Sequence, residues 1–436
     1  MTERYLGTGH DSDAGRPVPL GVPAHLPARL SITLWDFSWY TRAGEGEPYD
    51  DLDRACADAA DLGYNCIRIC AAPLLLFGHP ELSDLARDLE IEGLGAAPDG
   101  GYYGRGTRWY DVPGGYRIDV LERLHQLLEA AQRHGLVVIL ASWEYQQSTS
   151  FARSPRWFEA IDAVPLAERY DHLAAAWGRL VDWVTDLGLR SQIAMVELHN
   201  EVDFSILPAL AGSGERALRA LRRRNPDLLI TASYGKPPHL AMHQLSDALG
   251  AAQFHVYSYG VLDALQQRID IRSEPSEGFP NAMLRSLLVD GAPTPVEYGR
   301  PAEWKLRATV VTDQMIYGYD WVDPGLWDAW LDEHSGPYRL MMRREIESRV
   351  AAVAAWAHWR QVPAVIGEGW LGYTPLNAWY EESEHGLEFA ECGVHAALRA
   401  GVWGVVLCSN AAPHHPMWQL RDWQRSMNER VLASGA

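Results

Sequence analysis

No block of basic residues stands out in these 436 residues, where 38 Lys and Arg face 57 Asp and Glu for a net charge of −19. Nucleic acid, anionic lipid and polyanionic substrates are held by clustered positive charge, so this balance argues against each as a partner. No apolar run approaches a membrane-spanning length, and the opening stretch "MTERYLGTGHDSDAGRPVPLGVPAHLP" carries no apolar signal-peptide core. Cysteine is scarce. Cys56, Cys66, Cys70, Cys392 and Cys408 form no C-x-x-C pair, are odd in number and sit in apolar or helical runs, as core thiols in a reducing compartment do. The expectation is a soluble, cytoplasmic protein without membrane contact; the oligomeric state is open. Motifs for other chemistries are missing too. There is no H-E-x-x-H, no H-x-H and no G-x-S-x-G; His239 and His243 lie on an expected surface helix, and His414-His415 in a Pro-flanked loop. We expect no catalytic metal, no serine nucleophile and no cofactor.

What is present is an apolar share of 47%, enough for a large core, with 18 Trp and 19 Tyr against only 8 Phe. Trp and Tyr join a flat apolar face to a polar edge, which suits sugar rings, although any single one is ordinarily core. Strand-like runs alternate with amphipathic helices. The strands are 30–39, 66–72, 136–143, "SQIAMVELHNE", 228–234, 251–259, 363–370 and 402–410, and helices include 50–63, 118–135, 165–188, 340–360 and 384–400. Apolar runs without clean alternation describe parallel strands covered on both faces. Eight β-α units predict an α/β fold, a single (β/α)8 TIM barrel over 30–436 behind an N-terminal lead-in at 1–29. No Gly-rich loop opens the first helix, which speaks against an open doubly wound sheet. Long insertions follow strands two and six; the second, about 260–340, reads as irregular and aromatic. Both fall on the side where such barrels keep their active sites. The stretches 100–116 and 317–330 are therefore expected to border the pocket.

Three carboxylates crowd "VELHNEVD" (196–203), at the end of the fourth strand. An unpaired buried carboxylate is costly. Glu201 falls at the C-terminal end of strand four, and "VIGEGW" puts Glu368 at the matching end of strand seven. Alone, either would most simply be an ion-pair or cap residue. Together at one mouth they could flank a glycosidic bond, with roughly 5–5.5 Å between carboxyls for retention or about 6.5–9.5 Å for inversion.

"GYNCIRI", "ELHNE", "FHVY" and "PAVIGEGW" stand in order on strands two, four, six and seven. In this they resemble the family 5 glycoside hydrolases of clan A, over roughly 30–410, and in particular the actinobacterial cellulase-like, sugar-binding proteins. The resemblance implies a retaining glycosidase with Glu201 as acid/base and Glu368 as nucleophile. Arg68 and Tyr257 would hold the nucleophile ionised, Asn200 would bind the sugar 2-hydroxyl, and His255 would point into the site beside Tyr257. Glu197 would be a buried structural partner. An ordinary core histidine at 255 and a structural ion pair at Arg68 are the plain alternatives.

The sequence departs from the family pattern in three places. Val202 replaces a Pro. Strand three ends in Ala141-Ser142-Trp143 where the family has D-x-H, so an aromatic face is expected to replace that polar contact. Cys408-Ser409-Asn410 stands where a strand-eight Trp floors the sugar, which leaves Trp35, Trp143 or Trp370 to supply the floor. These changes bear on the substrate more than on the reaction. The expected partner is a small β-glycoside; a non-catalytic sugar-binding protein and a transglycosylase are the alternatives.

Overall fold

In the computed structural model residues 21–272 and 278–434 are described, so residues 1–20 of the expected lead-in lie outside them. The parallel strands are β1 Leu30–Asp36, β2 Cys66–Cys70, β3 Val137–Ala141, β4 Ile193–Glu197, β5 in two pieces (Ile230–Thr231 and Ser233–Tyr234), β6 Ala252–Tyr257, β7 Ala364–Trp370 and β8 Gly404–Val406. β8 pairs with β1, with Leu30 opposite Gly404. The ring shuts at β5, whose first piece pairs with β4 and whose second pairs with β6, so the sheet holds nine hydrogen-bonded stretches. Every residue of β1, β2, β4, β6 and β7 is buried, because helices cover one face of the ring and side chains fill the other.

The covering layer consists of α1 Leu52–Asp61, α2 Val120–Arg133, α3 Arg169–Asp186, α4 Ser213–Arg224, α5 Gly336–Arg360, α6 Glu384–Arg399 and α7 Arg421–Ala433. A 3-10 turn at His239–Gln244 follows β5. The sequence explains their starts: Asp51 and Asp119 cap α1 and α2 by accepting from Arg54 and Glu122 backbone N–H groups. Helix α1 ends at Gly63, whose φ of +89° and contact with Asn428 of α7 leave no room for a side chain.

Two insertions form a collar at the C-terminal end of the ring. The first, after β2, contains an antiparallel pair, Leu89–Ile91 with Tyr116–Ile118. The second, after β6, is not irregular as its composition suggested but largely helical, with segments Val261–Arg268, Asp313–Trp321 and Pro324–His334. These pieces are too short to display an apolar period, and much of their buried face meets the other insertion. Asp320 accepts from the Gly104 and Gly106 backbone N–H groups at 2.8 and 2.7 Å. Lys305 donates to the Gly93 and Ala152 carbonyls.

Two expected sugar-floor residues turn away from the mouth. Ser31 and Asn428 bond across β1 and α7, so the odd-numbered residues of β1 face the helices, and Trp35 packs there on Tyr49 at 5.1 Å. The Trp370 indole donates to the Leu407 carbonyl and fills a slot left by Gly393 of α6, where a Cβ would fall 2.1 Å from the ring. Among the described residues, no helix is long and apolar enough to cross a membrane.

Candidate active site

A cavity of about 890 Å³ opens at the C-terminal end of the ring. Arg68, fully buried on β2, lies beneath it. The guanidinium grips Glu197 with two bonds, Nε to Oε2 at 3.0 Å and Nη2 to Oε1 at 2.7 Å. Its Nη1 donates to Glu368 Oε1 at 2.7 Å and Nη2 to Asn200 Oδ1 at 2.6 Å, while Trp143 lies 4.6 Å from its centre. Glu197 accepts further from Ser233 and Gln253. Burial opposes charge on Glu197, but the Arg68 charge and the bonds to it outweigh burial and hold this carboxyl below its ordinary range.

Glu368 accepts a second bond from the Tyr257 hydroxyl, at 2.8 Å. That hydroxyl has a single hydrogen, so Ser409 Oγ, 2.7 Å away, must donate to its oxygen. Ser409 in turn accepts from the Gly369 N–H. At the position of the missing strand-eight tryptophan, then, a hydroxyl props Tyr257 instead of an indole flooring a sugar.

Glu201 opens onto the cavity, with burial raising its carboxyl above the ordinary range and a bond from Gln146 opposing that rise. His255 bridges the two carboxylates: Nδ1 is 2.8 Å from Glu201 Oε1 and 3.5 Å from Glu368 Oε2. Burial pushes the imidazole down to about 4, so it is neutral at neutral pH. One oxygen of Glu201, one of Glu368 and a ring nitrogen of His255 lie within 4.8 Å of one another. Among the described residues this is the one group of His, Cys, Asp and Glu spaced to share a metal ion. Its nitrogen already faces Glu201 at hydrogen-bond distance.

Arg68, Asn200, Glu201, His255, Tyr257, Trp143 and Glu368 are thus brought together; Trp35 and Trp370 are not. The cavity's aromatic walls come from Trp109, Tyr110, Trp143, Phe204, Tyr257 and Tyr259. Trp109 and Tyr110 belong to the stretch 100–116. The stretch 317–330 does not reach the cavity; Thr309, Val310, Val311 and Met315 do so in its place. Tyr259 could have been found from its spacing of two from Tyr257. Gln146 and Gln147 left no signal, being isolated amides in a loop. Tyr110 accepts from the Val310 N–H and donates to Gln147 Oε1, which turns the Gln147 amide nitrogen away from that bond. Asp36, at the inward end of β1, is buried and carries no motif in the sequence. Burial pushes its carboxyl up to about 8 against bonds from Ser38, so it is mostly protonated at neutral pH.

A family model described as "Cellulase-like: Sugar-binding cellulase-like" matches residues 32–236 and 328–432. Among solved structures, the chain is similar to a protein of Parabacteroides distasonis ATCC 8503 assigned as a glycoside hydrolase. The TM-score is 0.65 at 17% identity, covering 92% of this chain and 93% of that one. A family 5 mannosidase of Rhizomucor miehei aligns at a TM-score of 0.44 and 12% identity, over 93% of this chain and 94% of that one. A GH5_18 protein of Streptomyces cattleya in complex with GlcNAc gives 0.44 and 15%, over 87% of this chain and 71% of that one. No curated protein matches the chain.

Proposed function

We propose, for a chain that belongs to the sugar-binding cellulase-like family, that it is a retaining glycoside hydrolase acting on small β-glycosides, with Glu201 as acid/base and Glu368 as nucleophile. The observation that carries this reading is the separation of the two carboxylates, which approach within 4.8 Å at one oxygen each. That suits the retaining arrangement, whereas inversion needs about 6.5–9.5 Å to seat a water. In the first step Glu201 protonates the leaving oxygen while Glu368 attacks the anomeric carbon; in the second, Glu201 takes a proton from water that releases the sugar. The two environments suit those roles. Glu201 is desolvated toward its protonated form, and Glu368 accepts from Arg68 and Tyr257, donors that match a charged carboxylate. The collar of insertions and a cavity of about 890 Å³ favour a small glycoside over a polymer running through a cleft, in keeping with a cytoplasmic substrate.

The words "sugar-binding" in the family description favour a second reading, a barrel that holds sugar without turnover. A panel of aryl glycosides followed by proton NMR separates the two. We expect the β-anomer of the free sugar to appear first from a β-glycoside, before mutarotation. The α-anomer appearing first would refute retention. Calorimetric binding of a sugar without release of any aryl group would favour the binding protein.

A further inference from the structure

We propose that Gln146 is the positioning residue of Glu201, the last member of a one-way hydrogen-bond relay that starts at Arg68. The geometry stands by itself; the kinetic consequence rests on the double-displacement reading.

A guanidinium has donors only. Arg68 Nη2 donates to Asn200 Oδ1 at 2.6 Å, so the Asn200 amide nitrogen faces the other way and donates to Gln146 Oε1 at 2.8 Å. The Gln146 amide nitrogen is thereby turned to Glu201 and donates to Oε2 at 2.8 Å. Amide orientations are often ambiguous, but a flip here fails at either residue. Flipping Asn200 would aim an NH2 at the guanidinium, and flipping Gln146 would set NH2 against NH2. The same Arg68 reaches Glu368 directly. Both carboxylates therefore take their placement from one buried cation, Glu368 at first hand and Glu201 through two amides. Gln146 is only 8% exposed, lines the cavity and sits in a loop after β3 that is buried throughout 141–150. Trp143 lines the cavity from the end of strand three, as expected, and the amide that reaches Glu201 comes from three residues farther along the chain.

An N–H donor on Oε2 favours the ionised form of Glu201 and opposes the burial that disfavours it. Glu201 must be protonated in the first step and ionised in the second; without Gln146, burial and the Glu197 charge are opposed only by the Arg68 charge and by His255, whose Nδ1 lies 2.8 Å from Glu201 Oε1. The second step then slows more than the first.

The test is a titration of Glu201 in the full chain, carrying glutamate labelled with carbon-13 at the carboxyl and assigned by the signal lost in Glu201→Gln. In Gln146→Met the midpoint is expected to rise by about one pH unit. Gln146→Glu keeps the acceptor for Asn200 and replaces the donor by a carboxyl, so its midpoint is expected to rise further. Thermal melting checks that both variants are folded. On 2,4-dinitrophenyl β-glucoside and β-mannoside, kcat is expected to fall more than kcat/KM, with the acidic limb of the kcat profile moved up in pH because the second step needs Glu201 ionised. Should the midpoint rise while the unmodified protein cleaves neither glycoside, the positioning role holds and the hydrolase reading is weakened. An unchanged midpoint in both folded variants overturns the proposal.

Discussion

Replacing Glu368 with Ala is expected to reduce turnover of every substrate by on the order of 10⁴–10⁶-fold, because no group remains to form the glycosyl-enzyme. Replacing Glu201 with Ala is expected to depend on the leaving group. Substrates that need protonation lose roughly 10²–10⁴-fold, whereas activated aryl glycosides lose little in the first step. Azide separates the two roles by stereochemistry. In the Glu201 variant it attacks the intermediate without needing a base and gives the β-glycosyl azide. In the Glu368 variant it enters where the nucleophile stood and gives the α-azide. The argument needs only the double-displacement scheme and the vacated volume of each carboxylate. Azide products of the reverse configuration, read by NMR, would exchange the two roles. Unchanged activity in both variants would remove the pair from the chemistry altogether.

The largest effect on stability is expected at Arg68. Its guanidinium is buried and bonds to Glu197, Glu368 and Asn200. Arg68→Met leaves Glu197 as a buried carboxylate without its cation, at a cost of about 3–5 kcal/mol. Lys is expected to rescue little, since one ammonium cannot reproduce a fork that serves three partners. The pH dependence gives a second signature. In the native protein Glu197 is held below its ordinary pKa, so its contribution is fully present above the unfolded value of about 4.3 and is lost as pH falls through the folded one. In Arg68→Met burial is no longer outweighed, and protonation of Glu197 relieves the variant. Its deficit against the unmodified protein should shrink on acidification, and Arg68→Met combined with Glu197→Gln should recover part of the loss at pH 7. Denaturant unfolding across pH checks this. A variant as stable as the parent, or a deficit that widens toward acid, would mean the Arg68 cluster is not what holds the floor of the site together.

Much of the barrel is legible in the sequence because parallel strands buried on both faces leave short apolar runs between capped helices. Strand motifs likewise locate Arg68, Asn200, Glu201, His255, Tyr257 and Glu368, since residues at strand ends inherit their position from the ring. Facing is harder to read. Trp35 and Trp370 look like floor residues until the register turns the first to the helix layer and Gly393 opens a slot for the second. The apolar run predicts strand eight through Asn410, but the strand stops at Val406, because Cys408, Ser409 and Asn410 bond sideways to Glu381 and Tyr257. Gln146 carries no periodicity and no motif; its role exists only through the chain of donors leading back to Arg68.

The most direct measurement is covalent trapping. The unmodified protein is incubated with 2,4-dinitrophenyl 2-deoxy-2-fluoro-β-glycosides of glucose and mannose, whose fluorine slows both steps while the activated leaving group lets the first proceed. Digestion and mass spectrometry should place one fluoro-sugar on Glu368, with the adduct decaying when an acceptor sugar is added. A label on Glu201, or cleavage of the parent aryl glycosides with no adduct on any residue, would contradict a retaining mechanism that runs through Glu368.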